Sequence, residues 1–530
     1  MNKLKMGSGK MKNLSRRELL LLMASIGGST AVLNTAHALG LVDSPAPGKP
    51  LTIKPASGKQ KKIVILGGGI AGLCTAYELE RVGYDCTILE ASHRIGGRNL
   101  TLRHGDFIDE LGRPNYCNFD EDPNLYFNTG PARIPGHHRR LLGYCKTLGV
   151  PLHVRANESR LAYCHDTNAF GGKPIRIGQV ISDTRGFLSE LVQKGVKADA
   201  FDQELSKDDQ ERLMAFSKFF GDLKDNGVYE GTTRAGSKTE RMLDHSTPTD
   251  TLNFKEMLKS NTWWSAVFAS EHYDWAAPVM EPIGGMDRIV AGFARNIKSP
   301  IYLQSQVQSI EVLDDGVTVT YLNKGKIKTI KSDYCFNNIP AYFMSGIENN
   351  LSKPYTDALA SMERGHLFKV AFQMKKRFWE EEGIYGGISY TNQNISQLWY
   401  PSHDIHTEKG IMLGAYGWDT DRALPLEAME LDERLKYAAS QGDKIHKNYS
   451  SYIEAGASVM WARMNHMMGC SAGLPEGRED EVLSRLYKPE GRHFMIGDQV
   501  SRHSGWQEAA LASAHNAMNQ FSHMVTEKNA

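Results

Sequence analysis

Lys61-Lys62-Ile63-Val64-Ile65-Leu66-Gly67-Gly68-Gly69-Ile70-Ala71-Gly72 is the stretch that decides the fold. Its four apolar residues, Ile63 to Leu66, read as a buried parallel strand. Glycines follow at 67, 69 and 72 in the G-x-G-x-x-G pattern. Apolar residues then recur at Leu73, Ala76 and Tyr77, which predicts a helix packed on a sheet. Gly83 ends that helix, and Cys86 to Leu89 read as a second strand running into Glu90. Each glycine has its own reason. Gly67 permits the tight turn, Gly69 lets backbone approach a pyrophosphate, and Gly72 lets helix and strand pack closely. Ile70 and Ala71 open the helix inside the same cradle, and Glu90, followed by Ala91, is placed for the ribose hydroxyls of an adenosine.

Working outward, 530 residues suffice for two or three domains. An apolar content of 41% and a charged content of 23% describe an ordinary soluble globular chain. The net charge of +1 points to neither nucleic acid nor a membrane surface. Seven cysteines lie scattered, without C-x-x-C, and H-E-x-x-H is absent, so no metal site is expected. His137 and His138 are adjacent, and neighbours on a helix diverge by about 100°. They are therefore not expected to share a metal.

At the N-terminus, Ser15-Arg16-Arg17-Glu18 leads an apolar run to Leu33, closed by Ala36-His37-Ala38. This resembles a bacterial twin-arginine export signal over 1–38. The run is too short and too rich in Gly and Ser for a stable membrane anchor. The resemblance implies a periplasmic or secreted protein, exported folded by the twin-arginine machinery. Folding would then occur where thiols stay reduced. Residues 39–60, rich in Pro, Gly, Ser and Lys, read as a linker.

Beyond the glycines, Glu90-Ala91-Ser92-His93-Arg94-Ile95-Gly96-Gly97-Arg98 resembles the E-A-x-x-x-x-G-G-R continuation of the FAD-dependent amine oxidases. Gly130-Pro131-Ala132-Arg133-Ile134-Pro135-Gly136-His137-His138-Arg139 resembles the G-P-M-R motif of the L-amino acid oxidases within that family, with Ala132 in place of Met. Pro282-Ile283-Gly284-Gly285-Met286-Asp287 and Phe494-Met495-Ile496-Gly497-Asp498, followed by Gly505-Trp506, are further family signatures.

The resemblance implies an α/β fold with a Rossmann-type FAD-binding domain in segments 61–136, 281–341 and 482–530. It also implies a mixed-sheet substrate domain over 137–174, 241–280 and 342–481, with a helical subdomain over 175–240. FAD would be non-covalent and touch Gly97, Gly130, Pro131, Ala132, Gly497 and the backbone of Val307. Arg98 would lie along its pyrophosphate, and Asp498, where Glu is common, would meet the ribityl hydroxyls. Trp506 would wall the substrate side, with the following helix aiming its positive end at the flavin. Arg133 would hold a substrate carboxylate as a planar fork, aided by Tyr416 and flanked by Trp418. Lys369 would hold a water at the flavin, and the Gly505 backbone would help place the amino group. Either Cys470 or Ser471 would line the pocket beside the flavin, and His272 reads as a structural histidine in a wall segment.

Together these imply an L-amino acid oxidase using O2, with a homodimer expected from the resemblance alone. A monoamine or polyamine oxidase, an amino-acid flavin monooxygenase and an inactive exported flavin-binding module stay open. The stretch between Arg98 and Gly130 is longer than the family pattern and is expected to shape the pocket mouth.

Overall fold

The computed structural model describes residues 51, 53–55, 60–198, 200, 205–239, 242–269 and 271–527. The export signal over 1–38 and nearly all of the linker over 39–60 lie outside those residues. Strand β1 (Lys62–Leu66) enters helix α1 (Ile70–Arg81), which returns to β2 (Asp85–Leu89). Short β3 (Ile301–Tyr302), β4 (Tyr334–Asn337) and β5 (His493–Met495) complete a sheet of order β3-β2-β1-β4-β5. All its pairings are parallel. The strand order reverses beside β1, and ligands of such sheets bind at the carboxyl ends of the strands there. Ile63 to Leu66 are buried, as a strand covered on both faces requires.

Helix α1 can pack on β1 only because residue 72 is glycine. A Cβ there would stand 2.1 Å from the Gly67 carbonyl oxygen, and Gly67 turns the chain at φ +96°. The C-terminal helix α2 (Gln507–Glu527) packs on α1.

A second, mixed sheet has seven strands. Next to one edge of it, Phe368–Met374 lies antiparallel between Gly410–Gly417 and the edge strand Ile453–Met460. Every residue of Phe368–Met374 is buried, so Lys369 is no edge-strand lysine. The meander expected after residue 301 is present as Ser305–Val312, Val317–Asn323 and Lys326–Ser332. Val317, Val319 and Tyr321 alternate inward along it. Helices Ile177–Lys197 and Lys207–Gly221 pack together in the expected helical region, the second opened by a Ser206–Asp209 capping box. Among the described residues no helix is long and apolar enough to cross a membrane. All seven cysteines are free.

The stretch between Arg98 and Gly130 does not shape the pocket mouth. It forms two small hairpins, Thr101–Leu102 with Phe127–Asn128 and Phe107–Ile108 with Asn115–Tyr116. Its role is to brace the second sheet. Glu110, 2% exposed, accepts from the Met460 amide at 2.9 Å and pairs with Arg434 at 3.2 Å. The Arg434 side chain is 1% exposed and also donates to the Leu426 carbonyl at 2.9 Å. Breaking a buried pair leaves one charge uncompensated. Arg434→Met should therefore lower unfolding free energy by roughly 3–5 kcal/mol in urea titrations, and Arg434→Met with Glu110→Leu should recover most of that loss.

Candidate active site

A cavity of about 670 Å³ opens at the carboxyl end of β1 and runs to the second sheet. At the near end it is lined by Gly67, Gly69, Ile70, Ala71 and Gly97. Glu90 and Ala91 stand beside them, with Val307 from the meander opposite. The Glu90 carboxylate is already positioned, accepting from the amides of Gly68 at 2.6 Å and Ser92 at 2.8 Å. Two of the expected cofactor residues do not line the cavity. Gly72 serves the packing of α1 on β1 instead. Gly497 sits behind the wall, its amide donating to Ser513 Oγ at 2.8 Å, where a Cβ would stand 2.6 Å from Asn338 Oδ1.

Midway, Arg98 and Asp498 both line the cavity, but they face each other. Arg98 NH1 donates to Asp498 Oδ2 at 3.0 Å and to the Cys470 carbonyl at 2.5 Å. Burial opposes the Arg98 charge, and the Asp498 carboxylate more than offsets it, so its pKa lies above the ordinary value. Asp498 Oδ2 also accepts from the Gly505 amide at 2.6 Å. The Gly505 N–H is therefore occupied, and only its carbonyl can meet an amino group. Cys470 and Ser471 both line the wall. Burial raises the Cys470 pKa, which keeps the thiol protonated and a poor nucleophile.

At the far end Gly130, Pro131, Ala132 and Arg133 enter the cavity together. Arg133 is 8% exposed, and its guanidinium lies 4.9 Å from the rings of Trp275 and Trp399 and 6.0 Å from Trp506. Its NH1 donates to Asn157 Oδ1 at 3.3 Å, and its buried Nε has no partner. Among the described residues no carboxylate lies within 4.0 Å of it. Burial lowers the Arg133 pKa, with the nearby Tyr416 acting in the opposite direction. Burial raises the Tyr416 pKa despite Arg133, so its hydroxyl stays a phenol and a donor. Trp418 completes that corner, 5.5 Å from Tyr416 and 5.9 Å from Trp275.

Lys369 does not line the cavity, though it touches its wall. Nζ donates to the carbonyls of Asn128 at 2.9 Å and Gly130 at 2.5 Å, fixing the turn that delivers Arg133. Burial drives its pKa well down, and the charges of Arg155 and Arg133 push the same way. A neutral amine in this place uses both hydrogens on carbonyls and keeps a lone pair to accept from water.

Trp275, Trp399 and Asn338 also line the cavity, and sequence reasoning missed all three. No local pattern marks them. His138, from the same motif stretch as Arg133, lines it too. Trp275 sits three residues past His272, which is exposed and does not line the cavity. The argument against a shared role for His137 and His138 also fails, because the helix begins only at Arg139 (Arg139–Thr147). Both rings reach Asp274 Oδ1, His137 Nε2 at 2.8 Å and His138 Nε2 at 3.4 Å. Hydrogen bonds from His138 and then His137 hold the Asp274 carboxyl down to about 2, outweighing its partial burial. The cluster is a satisfied hydrogen-bonded triad. In the other group with ligand-like spacing, His153, Glu281 and His403, the glutamate is already paired with Arg155 at 2.7 Å.

A Rossmann sheet whose glycine cradle opens into a long cavity, ending at a buried cation among aromatic rings, has the build of a nucleotide-binding site joined to a pocket for an anionic group. The chain belongs to the flavin containing amine oxidoreductase family, whose profile matches residues 70–520. It is 26% identical to the L-amino-acid oxidase of Siganus canaliculatus, over 86% of this chain and 84% of that one. It is likewise 26% identical to the flavin-dependent L-tryptophan oxidase RebO of Lentzea aerocolonigenes, over 86% of this chain and 96% of that one. Among solved structures it resembles cyclohexylamine oxidase from Brevibacterium oxydans IH-35A in fold, with TM-score 0.60, 14% identity, and 88% and 100% of the two chains covered. Putrescine oxidase matches with TM-score 0.58 and 14% identity, over 88% and 99% of the two chains. The residues present fit a flavin nucleotide. The cradle is built of glycine backbone, Glu90 is set for a ribose, and the N-terminal ends of α1 and α2 both line the cavity.

The depressed pKa of Lys369 has a stability signature. Between its folded value and its ordinary value of 10.5 the unfolded chain binds more protons. Stability therefore rises with pH through that window. Lys369→Met should flatten this rise, measured as urea midpoints at a series of pH values up to about 10.

Proposed function

We propose that the protein is an L-amino acid oxidase that binds FAD without a covalent bond. One observation carries this reading: the buried Arg133 guanidinium, which has no carboxylate partner among the described residues and faces a cavity walled by aromatic rings. A buried charge of this kind calls for a counterion, and a substrate carboxylate supplies one through two charge-assisted hydrogen bonds. Monoamine and polyamine substrates have no such group. Relatives that match 86% of the chain and are named for L-amino-acid and L-tryptophan oxidation support the same reading.

In this proposal Arg133 and the Tyr416 hydroxyl grip the carboxylate, so that the substrate has one orientation in the cavity. Trp275, Trp399 and Trp506 exclude water around that grip and strengthen it. The Gly505 carbonyl accepts from the amino group. Lys369, fixed on two carbonyls with its pKa driven down by burial, holds a water in the wall at the reacting end. Bound FAD supplies a two-electron acceptor that dioxygen reoxidises. The overall reaction takes an L-amino acid, O2 and water to a 2-oxo acid, ammonia and hydrogen peroxide. Export by the twin-arginine route belongs to the same proposal, and seven free thiols support folding before export.

Arg133→Met should keep its bound flavin but lose about 2–4 kcal/mol of transition-state stabilisation on L-amino acids, read as kcat/KM. Activity within twofold of the wild type would remove the carboxylate assignment. The assay should cover a panel of L-amino acids and amines, with peroxide and oxo acid both quantified. Oxidation of amines alone identifies an amine oxidase, amide and CO2 identify a monooxygenase, and no turnover identifies a binding module. The protonated Cys470 supports non-covalent FAD, so acid precipitation should release the yellow colour into the supernatant. Colour kept in the pellet, and freed by Cys470→Ala, would show a thioether instead.

A further inference from the structure

Apart from the flavin cavity, a smaller cavity of about 180 Å³ lies between helices Ile177–Lys197 and Lys207–Gly221. It is lined by three arginines, Arg160, Arg185 and Arg234, with Ser182, Thr232 and the Phe220 ring. We propose that this cavity binds a phosphate-class dianion.

The three cations come from three separate elements, and none is neutralised locally. Among the described residues no carboxylate oxygen lies within 4.0 Å of any of the three guanidiniums. Arg185 stands over the Phe220 ring at 5.3 Å and makes no hydrogen bond among the described residues, so all its donors are free. Arg160 NH1 makes one long contact with Ser182 Oγ at 3.5 Å. Arg234 NH1 donates to the carbonyls of Phe219 at 3.0 Å and Phe220 at 3.1 Å, which leaves its Nε and NH2 for a ligand. Asp222, at the end of the second helix, is held by Thr232 Oγ1 at 2.5 Å, and Glu158 is the acid that acts on Arg160.

The site is also preorganised. The Arg160 carbonyl accepts from the Gly178 amide at 2.8 Å, which ties its backbone to the start of one helix. Arg234 is tied to the last turn of the other helix by its two carbonyl bonds. Like charges held in this way repel. Burial and then Arg185 lower the Arg160 pKa, with Glu158 opposing them. A shared anion removes that repulsion.

The chemistry selects the ligand class. Three planar forks converging from different directions need several acceptor oxygens and more than one negative charge. A tetrahedral phosphate supplies both, whereas a carboxylate has two coplanar oxygens and one charge. The cavity is smaller than the roughly 300 Å³ at which drug-sized ligand pockets begin, so it takes the phosphate head and not a whole nucleotide. Arg160 and Arg234 are exposed, so the remainder of a phosphomonoester can stay outside.

The test uses flavin-loaded protein, so that the main cavity is filled. Inorganic phosphate and glycerol 3-phosphate are each added against chloride at equal ionic strength, and thermal unfolding is followed. Phosphate should raise the melting temperature, chloride should not, and Arg185→Gln or Arg160→Gln should weaken the effect about tenfold or more. A response to glycerol 3-phosphate and not to inorganic phosphate would identify a monoester as the ligand. A second measurement needs no variant. Phosphate should protect Arg185 and Arg160 of the wild type from phenylglyoxal, read by peptide mass spectrometry. Equal stabilisation by chloride, an undiminished phosphate effect in both variants, or no protection of these two arginines would overturn the proposal.

Discussion

A buried guanidinium without a counterion is the constraint around which the substrate end is arranged. Two arginines, Arg133 and Arg155, stand by Trp399 at 4.9 and 5.0 Å. Arg155 is neutralised by Glu281 at 2.7 Å, with both side chains buried. Arg133 has only Asn157 and the faces of aromatic rings. Ring faces soften a cation's desolvation but do not cancel it. Lys369 responds to the same field: burial, and then the charges of Arg155 and Arg133, drive its pKa well down, with Glu281 opposing. One unmatched positive charge is left, and it points into the cavity.

The scaffold holds this arrangement by long-range ties. Lys369 belongs to a buried inner strand of the second sheet, yet it binds carbonyls at 128 and 130, just before Arg133. Trp461, from another part of the chain, donates to the Thr129 carbonyl at 2.9 Å, so three successive residues of that turn are pinned from outside. Asp498 orients Arg98 and the Gly505 amide together, and so links the C-terminal signature to the first FAD-like motif. The extra stretch after Arg98 strengthens the sheet through Glu110 and Arg434 and contributes only Asn99 to the cavity.

Much of the nucleotide half was legible in the chain. Gly67, Gly69 and Gly72 each answer a local demand of one strand–turn–helix unit, and local demands show in local spacing. The alternation of Val317, Val319 and Tyr321 announced a half-buried strand for the same reason. Arg133, Lys369 and Tyr416 could be named because their surrounding motifs resemble a family. Where spacing was pressed further it failed. His137 and His138 were separated on a helix that starts only at Arg139. Gly497, set against the cofactor by resemblance and not by spacing, does not line the cavity.

The sequence by itself determined the parallel strand, the glycine turn and the helix of the dinucleotide unit, because hydrophobic period and backbone sterics act over a few residues. Only the tertiary structure decided that Trp275, Trp399 and Trp506 would surround Arg133, that Arg98 would face Asp498, and that three arginines from separate elements would line one cavity with Phe220. These meetings join residues as much as 400 positions apart. Desolvation and charge pairing depend on distance in space, and no periodicity along the chain encodes that distance.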